Sequence, residues 1–348
     1  MTWHRIGRSG YDVAVVGATG AVGEILLELL EKRRFPLRNL RLLASERSVG
    51  EQVTFARRSL GVDVATPEAF DGADLVFFAA TGELSRTLAP EAVERGALVI
   101  DKSSTWRLAP HVPLVVPEVN PAALDEHQGI IACPNCTTIG LVMALEPLRR
   151  RMGLRSVVAT TFQAVSGAGR DGVLELEAHE RARAKGESIE PRLFARSMAR
   201  NVVPLCDRLA EDGHTLEEHK LRAETRKILG LPSLAVSVTA VRVPVAVGHS
   251  VAALVEGERS LDVDQAGRAL AEFEGVRFHG GDAAPTPHDV EHSDDVLVGR
   301  LRRDPDTSRL WLWSVSNNLR KGAATNAIQI AETMQRRGLL DQRARRTG

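Results

Sequence analysis

The sequence predicts an α/β protein whose N-terminal part is a doubly wound parallel sheet. Three observations predict it. Short strands alternate with helical patterns from Tyr11 onward, joined by short connections. The strands are continuous apolar runs, as buried parallel strands are. Turns rich in Gly, Ser and Thr follow their C-terminal ends, where open α/β sheets bind ligands. At 348 residues the chain is long enough for two domains with full cores.

The first strand, Tyr11 to Val16, runs into Gly17-Ala18-Thr19-Gly20-Ala21-Val22-Gly23 and then a helix with the stripe Val22, Ile25, Leu26, Leu29, Leu30. Glycines at 17, 20 and 23 let the backbone turn tightly, approach a pyrophosphate and pack the helix on its strand. This is the pattern of a Rossmann-type dinucleotide-binding domain, with the spacing G-x-x-G-x-x-G. The bland reading is a Gly-rich structural turn. The second strand, Leu40 to Ala44, ends at Ser45-Glu46-Arg47-Ser48, where such a fold reads the adenosine ribose. Glu46 alone suggests NAD. Arg47 with Ser48 suits a 2′-phosphate, so NADP(H) is favoured. A third strand covers Asp74 to Ala80 and meets Thr81-Gly82; a helix covers Ser85 to Glu94, and a strand Ala97 to Ile100 leads into the loop Asp101 to Arg107.

The segment Gly129 to Ile139 is the richest in chemistry. An apolar strand stops at Pro134, a polar corner follows, and Ile139 to Leu148 reads as a helix. Cys136 therefore falls near a helix N-terminus, where backbone N–H groups and the dipole stabilise a thiolate. Two readings compete: a single nucleophilic Cys136, or a thiol–disulfide redox pair with Cys133 attacking and Cys136 resolving. A metal pair and two structural thiols are weaker alternatives.

A strand from Ser156 to Thr161 leads to Phe162-Gln163-Ala164-Val165-Ser166-Gly167-Ala168-Gly169, where Gln163 can donate and accept hydrogen bonds. Residues 173–200, rich in Glu, Arg and Ala, read as charged helix faces. Thr215 is an expected N-cap with Glu218 closing a capping box, and Glu217 and Lys220 read as a surface i,i+3 pair. In the strand Leu234 to Pro244, alternation puts Leu234, Val236, Val238, Ala240 and Arg242 on one face; an arginine ending an apolar row needs an anion or carbonyl. His249 follows Gly248 at a bend before a strand from Val251 to Val255 and is a general acid/base candidate beside a reactive cysteine. The His/Asp cluster 287–295 lacks a helical context and reads as a hydrated loop, so no metal is expected. A strand from Trp311 to Val315 precedes a terminal helix, Ala324 to Arg336, expected to pack back on the nucleotide domain.

Composition narrows the class. Lys and Arg total 45 against 45 Asp and Glu, which gives no electrostatic footprint for nucleic acid or an anionic membrane. The basic tail, Arg336-Arg337 and Arg343 to Arg346, reads as a solvated end. No apolar run has the length of a spanning helix, and the N-terminus lacks a signal peptide's apolar core. Three cysteines suit free thiols in a reducing compartment, so a cytoplasmic protein is expected.

Six segments together resemble aspartate-semialdehyde dehydrogenase of the bacterial type: Gly17 to Gly23, Val115 to Asn120, Ala132 to Thr137, Gln163 to Gly169, Val241 to Pro244 with Gly248-His249-Ser250, and Lys321 to Ala324. The match runs in order from about residue 11 to 340. The resemblance implies a Rossmann-type domain over residues 10–135 and 318–348 and an α+β catalytic and dimerisation domain over 136–317, with the C-terminal helix returning to the first. It implies Cys136 as acyl-thioester nucleophile, His249 as acid/base, Gln163 and Arg242 at the substrate's amino-acid end, and Arg107, Asn135 and Lys220 at the phosphate with Glu217 beside it. It further implies NADP(H) contacts at Gly17, Thr19, Gly20, Ala21, Val22, Gly23, Arg47, Ser48, Ser166, Gly167 and Asn318. The implied reaction is NADPH-dependent reductive dephosphorylation of L-4-aspartyl phosphate, and the implied partners are a small substrate, phosphate and a second copy of the chain. The alternatives are a paralogue reducing a related acyl phosphate and a redox protein using Cys133 and Cys136. The chain departs from the family's common pattern at Thr81-Gly82-Glu83, Lys102, Thr137 and Phe162.

Overall fold

The computed structural model describes residues 2–340, so the expected tail at Arg343 to Arg346 lies outside the described residues. The chain divides into two units. One takes the described residues of Met1–Pro134 and Ala323–Gly348, the other Asn135–Gly322. Residue 135 and residues 318–322, expected with the nucleotide domain, thus belong to the second unit. The reason is their bonding: Asn135 donates its backbone N–H to Glu224 and its side-chain amide to Glu217, and Asn318 bridges Ser166 and Gly248.

The first unit runs β1 (His4–Arg5), β2 (Tyr11–Val16), α1 (Ala21–Lys32), β3 (Leu37–Ala44), β4 (Gln52–Phe55), β5 (Arg58–Val64), β6 (Leu75–Phe78), α2 (Gly82–Glu94), β7 (Leu98–Asp101) and β8 (Ile130–Ala132). Its sheet has the order β4-β5-β3-β2-β6-β7-β8, parallel from β5 to β8, with β1 added antiparallel to β3. β3 lies on one side of β2 and β6 on the other, so the chain reverses its winding at the C-terminal end of β2, where the Gly17–Gly23 turn sits. Apolar residues of β2, β6, β7 and α2, among them Val16, Phe78, Val99 and Leu88, form a buried cluster.

The second unit runs α3 (Cys136–Met152), β9 (Ser156–Gln163), α4 (Arg170–Ala184), α5 (Leu216–Leu229), β10 (Ala235–Arg242), β11 (His249–Glu256), α6 (Val263–Ala271), β12 (Val276–Phe278), β13 (Val296–Arg303) and β14 (Leu310–Ser316). Its mixed sheet has the order β10-β9-β11-β14-β13-β12. α3 is buried nearly all round, which fits its apolar run from Ile139 to Leu148, and it packs against α5, α6, β11 and β14. The expected charged helix over 173–200 ends at Ala184, because Gly186 takes a left-handed turn (φ 74°) and residues 187–200 are irregular. His249 is the first residue of β11 and lies inside the strand register, not on the bend. A π-turn over Arg320–Ala324 leads into α7 (Thr325–Arg336), which returns to the first unit. There Glu332 pairs with Arg33, and Asn326 donates to the Val115 carbonyl. No helix among the described residues is long and apolar enough to cross a membrane.

Candidate active site

In the first unit the site is a backbone surface. Gly17 has φ 82°, and a Cβ there would stand 2.4 Å from the Ala79 carbonyl oxygen. At Gly23 a Cβ would lie 2.1 Å from the Gly17 carbonyl oxygen, so strand and helix close together only with glycine at both positions. Gly20 caps α1 without a side chain, so no side chain takes the helix's first amides, the arrangement that suits an anion. Thr19 Oγ1 donates to Ser48 Oγ at 3.3 Å, tying this turn to the short 3₁₀ segment Glu46–Ser48 that exposes Arg47. A dinucleotide fits these features: the bare amides of Ala21, Val22 and Gly23 suit a pyrophosphate, and the Arg47 guanidinium suits a 2′-phosphate.

Arg107 belongs to the same unit and is buried. Its Nε donates to the Cys133 carbonyl at 2.9 Å and its Nη2 to the Lys102 carbonyl at 2.8 Å. The turn that carries it is pinned by buried Asp101, whose carboxylate accepts from Ser85 Oγ, Ser103 Oγ and the Ser103 N–H.

The second unit gathers side chains from distant positions. β9 and β10 run parallel with Gln163 opposite Arg242, so both end at one edge of the sheet. β11 runs antiparallel to β9 and begins at His249 beside that edge. Arg242 Nη1 donates to the Ala164 carbonyl at 2.8 Å, which supplies the carbonyl partner that the end of an apolar row demands. Gly167 faces both groups: a Cβ there would stand 2.7 Å from Arg242 Nη1 and 3.4 Å from His249 Nε2.

His249 is 1 % exposed. Its Nδ1 accepts from the Ala164 N–H at 3.0 Å, so the neutral ring carries its proton on Nε2. Nε2 has no hydrogen-bond partner among the described residues. Burial, and then the Arg242 cation, push the His249 pKa down to about 3. The ring is therefore a neutral N–H donor near neutral pH.

Cys136 opens α3 and is partly exposed. Asn135 is the N-cap: its Oδ1 accepts from the N–H groups of Thr137 (2.8 Å) and Thr138 (3.3 Å). Asn135 Nδ2 donates to Glu217 Oε1 at 2.8 Å, and the same oxygen accepts from Gln163 Nε2 at 3.1 Å. A chain of hydrogen bonds thus runs from Gln163 through Glu217 to the residue before Cys136. Lys220 lies 3.5 Å from Glu217 Oε2 and 2.5 Å from Asp207 Oδ2, so it sits between two carboxylates. The Thr215–Glu218 capping box that starts α5 is formed. Asn318 spends its amide inside the unit: Nδ2 donates to Ser166 Oγ and Oδ1 accepts from the Gly248 N–H.

The other two cysteines differ from Cys136. Cys133 is fully buried, and burial pushes its thiol up to about 12; burial does the same to Cys206. An attacking thiolate at Cys133, which a redox pair needs, is therefore disfavoured. Among the described residues no cluster of three or more His, Cys, Asp or Glu could hold a metal ion; His288 instead meets Glu291 at 2.9 Å.

Sequence reasoning missed three residues here. Gly322 packs so closely on the nucleophile that a Cβ would stand 2.9 Å from Cys136 Cβ. Asp207 is the short partner of Lys220. Glu224 accepts the Asn135 N–H. Two carried a signal: Glu224 follows Glu217 by seven residues, two helical turns along one face of α5, and Gly322 lies in the Lys321–Ala324 segment of the resemblance.

Residues 12–127 match the model of the semialdehyde dehydrogenase NAD binding domain, and residues 145–321 that of the semialdehyde dehydrogenase dimerisation domain. The aspartate-semialdehyde dehydrogenase of Bacillus subtilis (strain 168) is 45% identical over 343 residues, covering 95% of this chain and 99% of that protein. The crystal structure of aspartate semialdehyde dehydrogenase II from Vibrio cholerae superposes with a TM-score of 0.92 at 42% identity, covering 94% of this chain and 99% of that one, and the same enzyme complexed with ASA matches equally. The Candida albicans enzyme with NADP gives 0.75 at 26% identity, covering 94% and 99%. A glycine turn, a cysteine that opens a buried helix and these likenesses along nearly the whole chain lead to one conclusion: it belongs to the aspartate-semialdehyde dehydrogenase family.

Proposed function

We propose that the chain catalyses the NADPH-dependent reductive dephosphorylation of L-4-aspartyl phosphate to L-aspartate 4-semialdehyde through a thioester on Cys136. The observation that carries this reading is the Gln163–Glu217–Asn135 chain of hydrogen bonds ending beside Cys136 at the start of α3. The helix N-terminus favours the thiolate. Its sulfur attacks the carbonyl carbon of the acyl phosphate; the C–S bond forms, the C–O bond breaks, and phosphate leaves with the electron pair and takes up a proton from solvent. NADPH, when bound on the Gly17–Gly23 turn, supplies the hydride that reduces the thioester. The resulting oxyanion collapses, the C–S bond breaks, and the aldehyde leaves with the thiolate restored.

His249 acts at both tetrahedral stages as the Nε2–H donor to the oxygen that gains charge, a refinement of the acid/base role implied by resemblance. Arg242 and Gln163 hold the amino-acid end of the substrate. In this reading Arg107 and Lys220 serve the departing phosphate, where charge accumulates. Preference for NADP over NAD rests on Arg47 and Ser48, and the Candida relative solved with NADP supports it.

The protein works as a homodimer in this reading. The sheet face away from α3 carries Val158, Phe162, Leu254, Trp311 and Trp313, an apolar stripe with Val158 44 % exposed. It lies within the region matching a dimerisation domain.

The decisive assay follows NADP reduction with aspartate semialdehyde and inorganic phosphate, beside the one-carbon-longer semialdehyde. Reduction that requires phosphate and prefers the shorter aldehyde is expected. Equal rates without phosphate, or preference for the longer homologue, would overturn the reading.

A further inference from the structure

We propose that Glu224 is a positioning residue for the Cys136 nucleophile, a role that rests on the thioester reading above. Glu224 lies on α5 and is 1 % exposed. Its Oε2 accepts from the backbone N–H of Asn135 at 2.6 Å, a short charge-assisted bond. Asn135 is the last residue before Cys136. Its own Oδ1 caps α3, and its Nδ2 is taken by Glu217. Two carboxylates seven residues apart on α5 therefore grip one residue, one through its backbone and one through its side chain. Fully buried Leu221 lies between them on α5, which packs against α3.

The grip matters because Cys136 has little room. Gly322 approaches so closely that an added methyl would stand 2.9 Å from Cys136 Cβ. The nucleophile is thus set by a backbone anchored to Glu224 and by a wall at Gly322. A buried carboxylate needs donors and is favoured near the positive end of a helix, and the N-terminus of α3 supplies both. Helix packing alone would be served by an apolar residue of the same shape, so the acceptor is the feature to test.

Glu224→Gln and Glu224→Met both remove the charge and keep the chain length; only Gln keeps an oxygen that can accept the Asn135 N–H. The Met variant should lose kcat by about 30-fold relative to the Gln variant, since misplacing a reacting group by an ångström costs up to about 100-fold. KM for the semialdehyde should change less than about 3-fold. The pH profile of Cys136 alkylation by iodoacetamide, measured per folded enzyme, should move to higher pH in the Met variant. Equal kcat and equal alkylation profiles for Gln and Met would overturn the proposal. Should the Met variant fail to fold, Glu224→Asp, which withdraws the carboxylate by one methylene, should show the same loss of kcat, and an unchanged kcat in it would overturn the proposal too. Activity surviving in Cys136→Ala would instead sink the nucleophile reading, and Glu224 with it.

Discussion

The two units build their candidate sites from different materials. The first uses backbone: one contiguous turn in which Gly17, Gly20 and Gly23 bare the amides at the start of α1. The second uses side chains from α3, α5, β9, β10 and β11, separated by up to 113 residues between Cys136 and His249. Backbone sites are local, so spacing reveals them. Side-chain sites depend on register and packing, so each member looks ordinary until the fold is known. Cys133 and Cys136 sharpen the contrast: they are three residues apart, yet one directly follows strand β8 of the first unit and the other is the first residue of α3 in the second.

The largest expected effect breaks that last comparison. Cys136→Ala should lower phosphate-dependent oxidation of aspartate semialdehyde by at least about 1,000-fold, as loss of a nucleophile does. Cys133→Ala should stay within about 3-fold of the parent, because its thiol is held protonated by burial. Similar losses in both variants would return the redox pair to contention.

A smaller effect tests the donor role of His249. His249→Ala should cost about 100-fold in kcat, the usual result of removing one oxyanion donor. His249→Gln, whose amide can donate from a similar reach, should recover at least about 10-fold of that. With the ring pKa near 3, the rate should show no His249 titration between pH 5 and 8. A step in the parent's profile near pH 6.5 that vanishes in His249→Gln would show that the imidazolium takes part.

The same ring links catalysis to stability. Its folded pKa lies below the unfolded value of 6.5, so the unfolded chain binds the extra proton and stability falls as pH drops from about 6.5 towards 3. Between pH 7 and 5 the parent should lose roughly 2 kcal/mol more than His249→Gln in denaturant unfolding. Parallel losses in the two proteins would mean that the ring is hydrated in solution.

What could be read beforehand follows the same division. The parallel sheet, the glycine turn, the Thr215 capping box and the helix start near Cys136 were legible because each is decided within a few residues. The Glu217–Lys220 pair on α5 was legible too, but its links to Gln163 and Asn135 were not, because only the folded packing brings those distant residues to Glu217. The β4–β5 hairpin was missed because its turn places Ala56 and Arg57 at φ 49° and 60°, without the Gly or Asn that marks such turns. β13 was missed for a related reason: the bulge between Gly299 and Arg302 breaks the two-residue alternation.

The smallest expected effect concerns the first unit, where one side chain supplements a backbone site. Arg47 is exposed on the 3₁₀ segment beside Ser48, whose hydroxyl accepts from Thr19 on the glycine turn. A guanidinium there adds one or two charge-assisted hydrogen bonds to a 2′-phosphate and none to a free hydroxyl. Such a bond is worth roughly 1.5–3 kcal/mol, less where water competes. Arg47→Ala should therefore raise KM for NADP by about 10-fold, leave KM for NAD within about 2-fold, and leave kcat with either nearly unchanged. Added salt should narrow the gap between parent and variant for NADP alone, because screening weakens an exposed ion pair but not a hydrogen bond to a sugar hydroxyl. If both cofactors lose affinity equally, Arg47 supports the turn itself, and the preference for phosphate must come from the backbone after all.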